Sequence, residues 1–291
     1  MYNIKRIARL LLGYTYPELL AKKIFVFRMN RPMRNPPVDL NEKINWLKFH
    51  SDTSIWVDLS DKYKVRKYIA QKGLDDILIP LYGRWDNVED VEWEKLPNSF
   101  VMKVNNGSGD VLICKDKSTL NIERQKVVFK GLLKKKYGIT LAEPHYRKIK
   151  PMIIAEQLLS VEKQGFPSDS LIDYKVWCFH GKPYCVWTCY NRTPNSVKVA
   201  TFDTKWNYRP EASRYNSHYQ KADLIPPKPQ LLDEMLKTAS ILADDFPEVR
   251  VDFYIVDNKL YFGEMTFTSA GGYMDFYTQA FLDEMGQQIS L

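Results

Sequence analysis

Lys103 lies near the end of a β-type run, SFVMKV (99–104). Asn105-Asn106-Gly107-Ser108-Gly109 follows at once, and then a second run, VLIC. Glycines let backbone N–H groups approach an anion with no Cβ in the way, and a nearby lysine adds a compact positive charge, so the segment can serve as a phosphate loop. Its strand-loop-strand context excludes a Walker A loop and a dinucleotide fingerprint, both of which lead into a helix whose N-terminus meets the phosphates. In a kinase-type loop the pairing lysine lies on a later strand, whereas here it precedes the glycines. Taken alone, the segment also fits a hairpin turn with a surface lysine, since turns often use Asn-Gly.

A second group lies near the C-terminus: Arg250 and Asp252 in VRVDF, then Glu264 and Thr266 in FGEMTF. If these strands pair through an Asp257-Asn258 turn, the two carboxylates can share a face. Magnesium in a nucleotide site is commonly held by one or two carboxylates plus phosphate oxygens, so Asp252 and Glu264 form a candidate metal clamp. Edge-strand acids in water are the bland alternative. Their neighbours Val249, Val251, Phe253, Phe262 and Phe267 favour half-buried strands, where an unpartnered carboxylate is costly. Between the two groups stand Glu156, at the end of the strand-like MIIAEQLL (152–159), and Asp173 with Lys175 in LIDYKV. A strand end offers a backbone carbonyl and amide beside apolar side chains, as an adenine needs. Asp173 and Lys175 share a strand face, suited to a ribose hydroxyl and a phosphate; as a surface ion pair they would be worth little.

The elements that must position these residues can be read from periodicity. Helical spacing covers Asn41–His50, Lys62–Lys72 behind a Ser60-Asp61 cap and ahead of Gly73, residues 120–137, and Pro229–Asp244. Short β-branched or aromatic runs fill 77–114. LIDYKVWCFHG, KPYCVWTCY and SVKVATFD alternate like an antiparallel sheet with a tight turn at Gly181-Lys182-Pro183. The whole is mixed α+β, without repeats or low-complexity tracts. The 291 residues, 45% hydrophobic, exclude a disordered or collagen-like chain and suggest about two domains. No apolar run reaches the ~18 residues of a membrane span, so the reading is a soluble protein, or a peripheral one at most.

The net charge is +7, and residues 1–34 carry the whole excess, with eight basic groups against Glu18 alone. There Ile4, Ile7, Ala8, Leu11 and Leu12 follow a helical apolar pattern, with Lys5, Arg6 and Arg9 on the other side. Two readings stand: a helix lying on anionic lipid or polymer, and an ordinary helix docked on the core. A secretory signal is rejected, because the apolar run is short and lacks a small-residue cleavage site. Cys114, Cys178, Cys185 and Cys189 have neither CxxC spacing nor enough histidines for zinc, which leaves reduced core thiols and a cytoplasmic location as the expectation.

A helix with Lys64 or Lys67, a lysine-then-glycine hairpin, a Glu-ended strand, an Asp-x-Lys strand and RxDx…GExT follow one another in this order, which resembles the ATP-grasp superfamily. The phrases DYKVWCFHGKPYCV and VRVDFYIVDNKLYFGEMTFTSAGG are especially similar to its teichuronopeptide-biosynthesis, TupA-like branch. The resemblance covers roughly Asn41 to the C-terminus. It implies an ATP-grasp fold in which two α+β lobes hold a nucleotide between antiparallel sheets, behind a basic helical segment. The expected division is 1–59 for that segment, 60–159 for the lobe with the glycine-rich lid, and 160–291 for the lobe with the metal site.

Carried over by position, the resemblance implies ATP and Mg2+ as cofactors. Lys103 would contact phosphate under a lid formed by Asn106, Gly107, Ser108 and Gly109. Glu156, Gln157, Leu158 and Leu159 would hold adenine, and Asp173 the ribose. Lys175 and Arg250 would act on the transferring phosphoryl group, and Asp252, Glu264 and Thr266 on the metal. Thr266 stands where most members have asparagine, and no Rossmann-like substrate domain precedes residue 41. The implied activity is ADP-forming carboxylate–amine ligation in cell-envelope or capsular polysaccharide biosynthesis, joining an amino acid or amine to a uronic acid. An anionic or lipid-linked glycan would be the acceptor, residues 1–34 would touch the inner face of the membrane, and no nucleic acid would be bound. A sugar or polysaccharide kinase, a sugar-nucleotide glycosyltransferase and a non-enzymatic polymer-binding module are the alternatives.

Overall fold

The computed structural model describes residues 2–107, 109–244 and 246–291, with side chains from residue 7 onward except that of residue 8. The chain forms two compact units. The first comprises the N-terminal helices to Thr53, Thr140–Glu143 and Ser160–Leu291; the second comprises Ser54–Ile139 and Pro144–Leu159.

Three helices open the first unit: α1 (Tyr2–Thr15), α2 (Pro17–Met29) and α3 (Leu40–His50). Pro17 starts α2, where its missing N–H costs nothing, and Asn30 ends it in the left-handed region. Leu20, Ala21, Ile24 and Phe25 form the buried stripe of α2 and pack with Ala142 and Tyr273. In α1, Leu12 packs against this cluster, while Ile7 and Leu11 are exposed. The faces expected of Ile4, Lys5, Arg6 and Ala8 lie outside the described side chains. Helix α3 begins with a capping box: the Asp39 carboxylate accepts from the Glu42 amide at 2.8 Å, and Glu42 accepts from the Asp39 amide at 3.1 Å.

The second unit is a four-stranded antiparallel sheet with helices. In chain order it contains α4 (Ser54–Leu59), α5 (Val65–Gln71), β1 (Leu81–Trp85), β2 (Phe100–Val104), β3 (Val111–Cys114), α6 (Ile122–Leu133) and β4 (Ile153–Glu156); the sheet order is β1-β4-β2-β3. Helix α5 starts later than its periodicity suggests. Asp61 caps a turn by accepting from the Tyr63 and Lys64 amides, and regular helix follows from Val65. Gly73, at φ +71°, ends the segment as expected. Phe100, Met102, Val104, Phe129, Ile153 and Ala155 form this unit's core.

The rest of the first unit is a six-stranded sheet, order β10-β9-β5-β6-β7-β8, with α7 (Leu232–Ala243) against it and α8 (Gln279–Gly286) beside α3. Its strands are β5 (Asp173–Phe179), β6 (Lys182–Tyr190), β7 (Val197–Asp203), β8 (Tyr219–Lys221), β9 (Val249–Val256) and β10 (Lys259–Thr266). The sheet is antiparallel apart from the β7–β8 pair. The β5–β6 turn is tighter than expected: His180 and Gly181 both have positive φ, and Lys182 and Pro183 already belong to β6. All four cysteines are buried and unpaired as disulfides, and burial pushes the Cys178, Cys185 and Cys189 thiols up. No helix among the described residues is long and apolar enough to cross a membrane.

Candidate active site

The acidic hairpin owes its geometry to a bulge. Asp257 and Asn258 turn the chain with φ of 55° and 53°, and a regular ladder runs from Val256–Lys259 to Phe253–Phe262. Continued regularly, it would set Glu264 opposite Val251, on the other face of the sheet from Asp252. The register shifts at Gly263 instead, so Glu264 pairs with Asp252 and Thr266 with Arg250. Directly opposed residues share a face, and Arg250, Asp252, Glu264 and Thr266 are thereby brought together. A Cβ on Gly263 would lie 3.0 Å from the Asp252 carbonyl oxygen. Strand β5 pairs Lys175 with Asp252, and Asp173 is on the same face two residues away.

Arg250 is the hub of this face. Its Nε donates to Asp252 Oδ1 at 2.7 Å, and Nη1 donates to Ser269 Oγ at 2.6 Å. Its Nη2 donates to Asp252 Oδ2 at 2.8 Å, Glu264 Oε1 at 3.1 Å and Thr266 Oγ1 at 3.2 Å. Lys175 Nζ bonds Asp252 Oδ2 and stands 3.4 Å from Asp173, which also accepts from Arg192 at 3.0 Å. Burial works against the charges of Lys175 and Arg250, but the Asp173 and Asp252 carboxylates outweigh it for Lys175 and Asp252 outweighs it for Arg250; both groups are held firmly protonated. Tyr254 is pushed well above the usual phenol range by the Asp173 charge and by burial.

These residues fit a divalent cation by their donor chemistry. Oxygens from all three expected ligands, Asp252, Glu264 and Thr266, already converge on one positively charged atom, Arg250 Nη2. Two carboxylates and a hydroxyl are hard donors of the kind magnesium takes together with phosphate and water. Among the described residues no set of three or more His, Cys, Asp or Glu side chains converges as a metal cage.

Behind the hairpin, the loop after β10 is held by residues that the sequence analysis did not single out. Thr268 donates to Glu143 at 2.6 Å, Lys48 Nζ donates to the Gly271 carbonyl at 2.8 Å, and Asn45 Nδ2 donates to the Gly272 carbonyl at 2.8 Å. Burial pushes the Glu143 carboxyl up and the Lys48 ammonium down. The signal for Lys48 is that it sits on the apolar stripe of α3, with Leu40, Ile44 and Leu47.

In the second unit, Lys103 Nζ and the buried Glu156 carboxylate form an ion pair at 2.5 Å. Arg66, also missed from sequence, approaches Glu156 at 3.5 Å; burial lowers its pKa, with Glu156 acting against that. The Glu156 side chain is thus a charge partner, while the strand end itself is fixed by the Gln157 amide donating to Pro80 at 2.9 Å. Leu159 is buried and Leu158 partly so. In the glycine loop Asn106 is buried, Gly107 accepts from Lys62 Nζ at 2.7 Å, and Gly109 requires its residue type by φ of +82°. Ser108 lies outside the described residues.

No curated protein matches the chain. Solved structures similar to it include D-alanine–D-alanine ligase from Bacillus anthracis, at 16% identity over 72% of this chain and 57% of that one (TM-score 0.42). Others are an L-amino acid ligase from Bacillus licheniformis (16%; 75% and 45%; 0.44) and D-alanine–D-alanine ligase from Helicobacter pylori (13%; 86% and 67%; 0.44). The chain thus spans about half the length of the first two. The description TupA-like ATPgrasp matches residues 42–290. By that match, the chain belongs to the TupA-like branch of the ATP-grasp family.

Proposed function

We propose that the protein is an ADP-forming ligase of cell-envelope or capsular polysaccharide biosynthesis, activating a uronic acid carboxylate for attack by an amino acid or amine. The observation that carries this is the convergence of Asp252, Glu264 and Thr266 on one cationic nitrogen, with Lys175 beside it, in a chain of the ATP-grasp family. The substrate carboxylate attacks the γ-phosphorus, the bond to the β-phosphate oxygen breaks and ADP leaves; the amine then attacks the acyl carbon and phosphate leaves. Magnesium, when bound by Asp252, Glu264 and Thr266, supplies charge neutralisation to the phosphate oxygens.

Lys175 and Arg250 offer fixed positive charge to the transferring group, and being buried they do so without reorganising solvent. Lys103 meets phosphate oxygens, and the loop of Asn106, Gly107, Ser108 and Gly109 excludes water from the acyl phosphate. Residues Glu156 to Leu159 hold adenine and Asp173 takes a ribose hydroxyl. The acceptor is an anionic or lipid-linked glycan, and the protein works in the cytoplasm at the inner face of the membrane.

The test is product analysis with Mg-ATP, amino acids and uronic-acid glycans. Formation of an amide with ADP and free phosphate is expected, and Glu264→Ala and Lys103→Ala should each lose turnover by about 10²–10³-fold. Near-wild-type turnover in both variants overturns the assignment. A phosphorylated sugar without free phosphate moves it to a kinase, and stabilisation by a nucleotide sugar with indifference to Mg-ATP moves it to a glycosyltransferase.

A further inference from the structure

The N-terminal helices leave two apolar stripes uncovered. On α1, Ile7, Leu11 and Tyr14, spaced i, i+4, i+7, are 57%, 62% and 52% exposed. On α2, the stripe opposite the buried Leu20, Ala21, Ile24 and Phe25 is Leu19, Lys23, Val26 and Phe27, all exposed. Phe27, at 86%, is the most exposed large apolar side chain among the described residues. An isolated exposed leucine needs no explanation, but two helical stripes in adjacent, contacting helices make a surface.

The charge around these stripes identifies what covers them. Residues 1–34 hold eight basic groups against one acid, Glu18, which is paired with Lys22 at 2.7 Å; Arg28, Arg31 and Arg34 pair with acids beyond the segment, which leaves the basic excess to Lys5, Arg6 and Arg9 of α1 and to Lys23. Lys23 stands inside the α2 stripe itself, and Arg9 on α1 is exposed. Apolar side chains framed by lysine and arginine suit a bilayer whose headgroups are anionic: the rings and aliphatic groups enter the acyl boundary while the long basic side chains extend to phosphates. Exposed Tyr14 and Tyr16 are of the type that settles at headgroup level. A protein partner or a second copy with a matching apolar face has no such need for unbalanced positive charge.

We infer that the α1–α2 pair is a monotopic docking surface for an anionic membrane, with Ile7, Leu11, Leu19, Val26 and Phe27 as the inserted residues. This deepens the membrane contact proposed above and stands apart from the ATP chemistry: none of these side chains belongs to the candidate active site.

The experiment is co-sedimentation of the full chain with vesicles of phosphatidylcholine alone and of an equimolar mixture with phosphatidylglycerol. Binding should be at least about tenfold tighter to the anionic vesicles and should weaken as salt is raised. The variants Phe27→Glu and Leu11→Glu/Phe27→Glu change only exposed positions, and each should lose anionic-vesicle binding by about tenfold or more. Their melting temperature and nucleotide turnover should stay at wild-type values, so a failure of the ligase reading would show in turnover and leave vesicle binding untouched. Equal binding to both vesicle types, no binding by the wild type, or undiminished binding by the double variant overturns the inference. So does a wild-type dimer that the double variant abolishes without any vesicle binding.

Discussion

Replacing Glu42 by glutamine tests how the segment between α2 and α3 is held. The Glu42 carboxylate is 1% exposed and accepts from Arg31 Nη1 at 2.6 Å, from Arg34 Nε, and from the backbone amides of Arg34, Val38 and Asp39. Burial alone would raise its pKa; the Arg31 bond and the three amides outweigh burial and hold it at about 2, against an ordinary 4.5. At ~1.36 kcal/mol for each tenfold in the proton equilibrium, the difference is worth about 3 kcal/mol at neutral pH. The folded-state pKa is the depressed one, so this contribution is present above pH 4.5 and is lost as pH falls toward 2. Linkage leaves less than half of it at pH 3. Urea unfolding of wild type and Glu42→Gln should therefore show a stability gap that narrows by about 2 kcal/mol between pH 7 and pH 3. A gap that is the same at both pH values, or that widens in acid, refutes the assignment of the buried charge to Glu42.

Two further outcomes follow from buried groups near the sheet. Glu248 is 1% exposed, and neither of its oxygens has a hydrogen-bond partner among the described residues; burial raises its pKa well above 4.5. The native state then retains a proton that the unfolded chain releases, so stability falls as pH rises above 4.5. Glu248→Met should raise stability by about 1–3 kcal/mol, more at pH 8 than at pH 5, as read from melting temperatures; a destabilised variant at pH 8 contradicts this. Gly263→Val places carbon against the Asp252 carbonyl and the Tyr254 ring, and should cost about 1–3 kcal/mol in urea together with weaker Mg-ADP binding by calorimetry; unchanged binding would separate the bulge from the site.

Much of the fold was legible because local chemistry decided it. Helix α3 follows from the helical spacing of NEKINWLKFH. The strands that pair as hairpins are bounded by turn residues, and Asp257-Asn258 turns the chain where expected. Strand β8 escaped because three residues, Tyr219–Lys221, carry too little alternation to count, and its partner β7 is parallel and not reached by a hairpin. Helix α5 was read as too long because the apolar spacing of Val65, Tyr68 and Ile69 gives no sign of where the preceding turn ends. Arg66, Arg192, Glu143 and Asn45 could not be singled out, since each acquires its meaning from a partner distant in sequence.

For Asp252 and Glu264 to share one face, a simple reading of the strands is insufficient. A two-residue turn with a regular ladder separates them; only the register shift at Gly263 joins them, and a glycine in a strand is the sequence mark of such a bulge. The bulge adds Glu264 to a face where the buried Asp173, Asp252, Lys175 and Arg250 already meet, with Arg192 at its exposed edge. Removing such charges from water costs several kcal/mol per ion, and well-packed apolar side chains of the same volume would serve stability at least as well. Stability therefore gives no reason for the cluster, and an isolated half of it would be worse than none. Under the proposed function, the physical return would lie in delivering fixed opposite charges to a ligand that itself brings phosphate oxygens and a metal, where low-dielectric surroundings magnify each contact.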